Sequence, residues 1–333
     1  MKDKIIVAGN IIVDRIYPIG GYPQRGCLTK IGKNILQATG GTVCNTGMDL
    51  VSLSPKTKVC GIGCVGRDAD GDFAIASMEK GGLDCSGVHR IDAVTSFTAV
   101  MSDTISGERT FFSHPGASAA LDVSDFCFDG TDADLFHIGY ILLLDALDQT
   151  DPEYGTRLAR VLADAQRHGI KTSIDVVSEN SDRFARLVPP ALKYTDYCII
   201  NEIESSATTG ILLRGEDGRL LEENLPAALE KMHELGVAEW AVIHAPEGGF
   251  GMGRDGRFVS LPSLKLPEGY IKGSVGAGDA FCSGVLYAAW KGETLTSALE
   301  LGTATAACSL SEPGSTEGVR TAVEARRLYE SMR

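Results

Sequence analysis

Residues 273–284 read GSVGAGDAFCSG, and within them Gly276, Ala277 and Gly278 lead directly into Asp279. Ala280, Phe281, Gly284, Val285 and Ala288 then follow at the spacing of a buried helix. The first N–H groups of a helix lack intrahelical partners, and with the helix dipole they form a site for phosphate oxygens. Glycines let the backbone approach such an anion closely. Asp279 is the odd member, because a carboxylate repels phosphate. Its place is explained if it takes a proton from a hydroxyl that attacks the phosphorus. The plain alternative is an acidic residue that merely caps the first turn.

Other polar residues fall at predicted strand ends or helix starts. Asp14 follows the first strand, Gly40-Gly41 leads to Asn45, and Asp175 closes a middle strand. Asn201 ends the next strand, with Glu204 three residues on, and His244 precedes the glycine-rich run 248–256. Each has an ordinary reading: a turn for Asp14, an N-cap for Asn45, a capping box for Asn201 and Glu204, a tight hairpin for 248–256. Their joint occurrence at one edge is what suggests a site.

The elements that must position these residues alternate along the chain. Strands are predicted at Lys4–Ala8, Thr57–Ile62, Asp134–Ile138, Lys171–Val176, Tyr197–Ile200 and Trp240–His244. Helices are predicted at Asn45–Leu53, Asp70–Glu79, Thr156–His168 and Leu225–Leu235, several of them stopped by glycine. Such repeated βα units imply an α/β fold with a doubly wound, mostly parallel sheet flanked by helices. Ligands bind at the carboxyl edge of sheets of this kind. Segments 15–38 and 94–113 break the alternation. The second resembles a hairpin turning at Asp103–Gly107. Together they are expected to form a small antiparallel β lid over the site, within a single domain spanning 1–333.

Composition narrows the function. Among 333 residues, 31 Lys and Arg against 44 Asp and Glu give a net charge of −13 with no basic stripe, which argues against nucleic acid as a partner. A phosphate-bearing ligand must therefore be held locally, by backbone amides and metal ions. Nine cysteines at irregular spacing do not describe a disulfide framework. No run is long enough to cross a membrane, and the N-terminus enters a strand without an apolar leader, so a cytoplasmic protein is expected. An exposed lid edge predicts a homodimer.

With these residues in view, the chain resembles the ribokinase-like (phosphofructokinase B) family of carbohydrate and nucleoside kinases over nearly its whole length. The resemblance rests on Gly40-Gly41 with Asn45, on Pro115-Gly116-Ala117, on Asn201–Glu204 and on Gly273–Phe281. It implies transfer of the γ-phosphoryl group of ATP to a hydroxyl of a sugar or similar small molecule. It also implies roles: Asp279 as the base, Gly276, Ala277 and Gly278 as the anion hole, and Gly249 near the ATP phosphates. Asp14, Gly41 and Asn45 would bind the substrate, and Asn201 and Glu204 would hold Mg²⁺ through water. A helix N-terminus is expected to lower the Asp279 pKa, leaving a weak base that phosphoryl transfer tolerates.

Three positions depart from the family pattern. Gly273 replaces an Asp beside a loop that in relatives binds a monovalent cation, so K⁺ would have to rely on backbone carbonyls. His244-Ala245-Pro246 replaces Thr-x-Gly, and Pro246 cannot donate an N–H. Asp175-Val176-Val177 replaces Asp-x-Asn.

Within the family a nucleoside kinase is the nearest alternative, since Tyr17, Tyr22, Phe97, Phe111 and Phe112 could face a base. Arg15, Arg25, Lys30, Lys33 and Arg109 leave a sugar phosphate open as acceptor. A sugar-binding regulator that keeps the fold without the chemistry is the rival of another class. A nicotinamide dehydrogenase is excluded, because the first strand leads only to Gly9-Asn10 and not to Gly-x-Gly-x-x-Gly.

Overall fold

The computed structural model describes residues 4–106, 108–179 and 181–333. Strands are β1 (Lys4–Gly9), β2 (Ile12–Ile19), β3 (Leu36–Gly40), β4 (Lys58–Gly66), β5 (Asp84–Ile91), β6 (Phe97–Asp103), β7 (Arg109–His114) and β8 (Ala133–Ile141). They continue as β9 (Thr150–Asp151), β10 (Gly155–Thr156), β11 (Lys171–Val176), β12 (Tyr197–Asn201), β13 (Trp240–Ala245), β14 (Gly248–Gly253) and β15 (Phe258–Pro262). Helices are α1 (Thr42–Leu53), α2 (Ala69–Lys80), α3 (Arg157–Arg167), α4 (Phe184–Leu192), α5 (Glu202–Thr209), α6 (Leu225–Leu235), α7 (Ala277–Trp290), α8 (Leu295–Ser309) and α9 (Ala322–Met332).

Among the described residues, nine strands form the central sheet in the order β15-β14-β13-β12-β11-β8-β1-β4-β5. From β13 to β5 every pairing is parallel, and at the other edge the β13–β14 and β14–β15 pairings are antiparallel, so that β14 alone runs against the rest. Successive side chains of β1 enter opposite cores. Ile5 and Val7 pack with α1, α7 and α8, whereas Ile6 and Ala8 pack with α3, α4 and α6. Burial on both faces explains why the central strands read as apolar runs without polar alternation. The doubly wound sheet expected from the βα pattern is therefore present.

The segments expected as a lid form a separate sheet in the order β3-β2-β6-β7. It is mixed, not antiparallel throughout: β2 pairs with β3 and β6 with β7 antiparallel, but β2 and β6 run parallel. Thr29–Ile31 is not a strand, and only Ile31 makes a single bridge, to Ile19. Asp14 lies inside β2 and so belongs to this sheet itself. Gly107, in the expected hairpin turn, lies outside the described residues.

Helix starts follow their caps. Asp68 accepts from the Gly71 N–H at 2.9 Å at the start of α2, and Thr156 from the Ala159 N–H at 3.2 Å at the start of α3. Helix α1 begins at Thr42, behind Gly41, so Asn45 is interior to the helix and not its cap.

Candidate active site

The carboxyl ends of β1, β8, β11, β12 and β13 present Asn10, Tyr140, Asp175, Asn201 and His244 along one edge, and the first turn of α7 packs over them. Gly276 caps α7 with φ 80°, and a side chain there would meet the Ser315 carbonyl oxygen at 2.6 Å. Only glycine satisfies both conditions. Gly41 plays the matching part before α1, with φ 84° and its α-carbon close against the Asn10 carbonyl.

One side of the α7 turn faces a cleft of ≈ 640 Å³, walled by Asn201, His244, Gly248, Ala277, Gly278 and Thr303 among mostly apolar groups. Burial pushes the His244 imidazole down to about 4, so it is neutral near pH 7. His244 therefore offers no positive charge to an anion at this end of the cleft. Gly249, expected at the phosphates, instead pairs with His244 across the hairpin and packs on the Phe281 ring. Its neighbour Gly248 lines the cleft, because side-chain positions alternate along β14. The run 248–253 is thus a hairpin strand, and Pro246 sits in its tight turn, where no N–H is needed.

Thr303 stands out in the apolar wall. It is 6% exposed on α8, and among the described residues its hydroxyl has no hydrogen-bond partner. Thr305, two residues on, donates to the Leu301 carbonyl at 2.7 Å in the usual helical manner.

The other side of the α7 turn carries Asp279, 8% exposed. The Asn45 Nδ2 donates to its Oδ2 at 3.0 Å, and the Tyr140 hydroxyl reaches Oδ1 and Oδ2 at 2.8 and 2.9 Å. Thr46 Oγ1 lies 3.5 Å from Oδ1, at the limit of a bond. Ser315 Oγ donates to the Asn45 Oδ1 at 2.9 Å and fixes which way that amide points. Burial raises the Asp279 pKa, outweighing the lowering by Tyr140, Asn45 and Thr46. The expected lowering by the helix terminus is therefore corrected, and desolvation decides the sign.

Asp175 and Glu204 are buried nearby. Burial together with the field of Glu204 pushes Asp175 well above the usual carboxylate range, and burial pushes Glu204 up to about 7. Asn201 and Glu204 form a reciprocal capping box at α5. The Asn201 Oδ1 accepts from the Ile203 and Glu204 N–H groups at 2.9 Å, and the Glu204 Oε2 accepts from the Asn201 N–H at 2.9 Å. Ser178 Oγ donates to the Glu204 Oε1 at 2.7 Å and accepts from the Asn201 Nδ2 at 2.8 Å. The capping reading is realised in full. Among the described residues the buried Glu204 carboxylate has no cationic partner, and beside Asn201 at the cleft wall it offers oxygen donors of the kind hydrated Mg²⁺ takes.

Asp14 is half-buried on β2. Burial raises its pKa against a lowering hydrogen bond from Thr98, and Gly40 leaves room for its carboxylate. None of its hydrogen bonds reaches Asp279. Of the cations in the lid segments, Arg15 is bound to Asp70 at 2.5 Å and lies over the Phe97 ring. Phe111 and Phe112 are exposed, at 59% and 56%.

Tyr140, Asn10, Ser178, Thr303 and Ser315 were not singled out by sequence. The available signal was position: Asn10 and Tyr140 are polar residues at strand ends on the ligand edge. Among the described residues, no cluster of three His, Cys, Asp or Glu has the arrangement of a direct metal site, and no helix is long and apolar enough to cross a membrane.

Comparison with known proteins gives one family. The sequence profile of pfkB family carbohydrate kinases matches residues 2–322. The ribokinase of Haemophilus influenzae is 22% identical over 99% of this chain and 99% of its own length. The adenosine kinase of Dictyostelium discoideum is 24% identical over 88% of this chain and 84% of its own. The Arabidopsis thaliana ribokinase solved with ribose and ATP superposes with a TM-score of 0.81 at 18% identity, covering 99% of both chains. At that identity the superposition speaks for the fold.

Proposed function

The chain belongs to the pfkB family of carbohydrate kinases, and on that premise we propose that it transfers the γ-phosphoryl group of ATP to a hydroxyl of a sugar or sugar-like molecule. The observation that carries this reading is the position of the first α7 turn. Ala277 and Gly278 wall the cleft on one side while Asp279 meets Asn45 and Tyr140 on the other. A phosphoryl group held at the amides of 276–278 lies beside the carboxylate that removes the acceptor's proton.

In this reading the cleft takes ATP, and the Thr303 hydroxyl gives its apolar wall one hydrogen-bonding group for the nucleoside. Gly41 and Asn45 lie on the acceptor side, and Asp14 stands on β2 of the small sheet, which acts as a lid on a single kinase domain, residues 1–333. Asn201 and Glu204 would hold the hydrated Mg²⁺, which supplies charge neutralisation of the phosphates. Near Gly273 the carbonyls of Glu312 and Pro313 are the oxygen donors a K⁺ ion takes, and turnover in potassium against tetramethylammonium salt tests that site.

The acceptor reads as an uncharged polyol. Arg15 is already committed to Asp70, and the acceptor side is lined by Asp14, Asp175 and Asp279, which disfavours a sugar phosphate. The exposed Phe111 and Phe112 do not favour a nucleoside base stacked in the site.

The deciding experiment is ADP release from Mg-ATP over a panel of sugars, polyols and nucleosides, with Asp279→Asn as control. Loss of the base is expected to cost roughly 10²–10⁴-fold in turnover with ATP binding kept. Undiminished turnover in the variant removes the base assignment. Ligand binding without ADP release favours the regulator.

A further inference from the structure

The Tyr140 phenol lies 2.8 Å from Oδ1 and 2.9 Å from Oδ2 of Asp279 and so covers both oxygens of the base. Its own backbone is fixed, since its N–H donates to the Asn10 Oδ1 at 3.0 Å and the Asn10 Nδ2 donates to the Leu143 carbonyl at 3.0 Å. A carboxylate has about four lone-pair sites. The single phenol proton is shared between the two oxygens, Asn45 donates to Oδ2, and Thr46 approaches Oδ1 at the limit of a bond. An acceptor hydroxyl must hydrogen-bond to one of these oxygens before its proton can leave. The place it needs is held by another hydroxyl. Burial and the fields of Asp279 and Asp175 push the phenol's ionisation well above its ordinary value, so it stays protonated and presents itself as an alcohol does.

We propose that Tyr140 is the resting occupant of the acceptor-hydroxyl position on Asp279, keeping water off the base until an acceptor takes its place. The proposal rests on the reading of Asp279 as base. The reaction it prevents is hydrolysis. A water oxygen forms a bond to the γ-phosphorus, and the bond from that phosphorus to the leaving diphosphate oxygen breaks. The water proton passes to Asp279, and ADP and inorganic phosphate leave. With the phenol in position, the place beside both carboxylate oxygens that water would need is taken.

The probe is Mg-ATP alone, with ADP release followed for wild type, Tyr140→Phe and the double variant Tyr140→Phe/Asp279→Asn. Removing the hydroxyl is expected to raise acceptor-free ADP release by about tenfold or more, within the range a positioned base supplies. The rise should vanish in the double variant. The acid limb of the acceptor-free pH profile should also move to higher pH, because the carboxylate loses a stabilising donor. Among the described residues, apart from Tyr140 on β8, the ionisable groups coupled by their fields to Asp279 are Asp49 on α1, Asp175 on β11, Glu204 on α5 and Cys282 on α7, all unchanged by the substitution.

A structural tyrosine predicts something else: a lower melting temperature with acceptor-free release unchanged or reduced. That result overturns the proposal, as does a rise that survives in the double variant. Tyr140→Leu, equally unable to donate, guards against a folding defect peculiar to one variant and must show the same rise. Failure of the kinase reading has its own signature, in which no sugar, polyol or nucleoside lifts wild-type ADP release above that with Mg-ATP alone.

Discussion

The Asn45 amide nitrogen stands 3.0 Å from the Asp279 Oδ2 and joins helices α1 and α7 across 234 residues of sequence. Its oxygen accepts from Ser315 at 2.9 Å, so one side chain ties the loop after α8 to the base. Asn45→Leu removes both bonds and leaves the Ser315 hydroxyl and one Asp279 lone pair buried without partners. A loss of about 1–3 kcal/mol of stability is expected. Turnover should fall further than stability alone explains, since the base loses its orientation. Chemical denaturation together with kcat at saturating substrate measures the two effects.

Proton removal requires ionised Asp279, whose pKa is raised by burial. Activity should be full above that raised pKa and be lost as pH falls through it. The acid limb of kcat/KM is thus expected above the ordinary Asp value of about 3.9. A limb at or below that value contradicts the dominance of desolvation.

Gly276→Ala forces a side chain onto backbone at φ 80° and against the Ser315 carbonyl. The helix start must shift, which moves the amides of 277 and 278. ATP affinity should weaken and the strain should cost about 1–3 kcal/mol. Calorimetric titration with a non-hydrolysable ATP analogue and a thermal melt read the two separately.

Thr303→Val should act in opposite directions on two observables. Replacing an unpaired buried hydroxyl by a methyl of the same shape is expected to leave the free protein equally or more stable. The same change should raise KM for ATP by about fivefold to tenfold, the worth of one hydrogen bond. Unchanged KM for ATP removes Thr303 from nucleotide recognition.

The lid sheet leaves Leu36, Phe111 and Phe112 more than half exposed on or beside its edge strands β3 and β7. We propose that a second copy of the chain covers them. Sedimentation should find a dimer, and Phe111→Glu with Phe112→Lys should convert it to monomer. A monomeric wild type at micromolar concentration removes the proposal.

Features with local signatures were legible in the sequence. The glycine-led start of α7 and the capping box of Asn201 and Glu204 are read within a few residues, and both are present. The parallel sheet followed from helix–glycine–strand spacing. Pairings between distant segments were not legible. The hairpin of β6 and β7 is local and was seen, but the parallel partner of β6 is β2, some eighty residues earlier, and no local pattern specifies it. A polar residue at Asn45 suits a cap, so the sequence pattern starts α1 there. Its amide instead serves Asp279, while Gly41 opens the helix with no side-chain cap. Tyr140 has no local signature, because its strand looks complete at Ile138 and its bonding partner lies 139 residues away. The sign of the Asp279 shift depends on burial, which no short motif encodes.

In the proposed reaction, the opening turn of α7 borders the compartments of both reactants. Its amides and its carboxylate ride on one helix packed against α8, whereas the proposed cover of the acceptor is a separate four-stranded sheet. Alignment of phosphorus, attacking oxygen and base is thereby uncoupled from the cover's shape. Changes in β2, β3, β6 and β7 can retune which molecule is admitted without disturbing the frame in which phosphate moves.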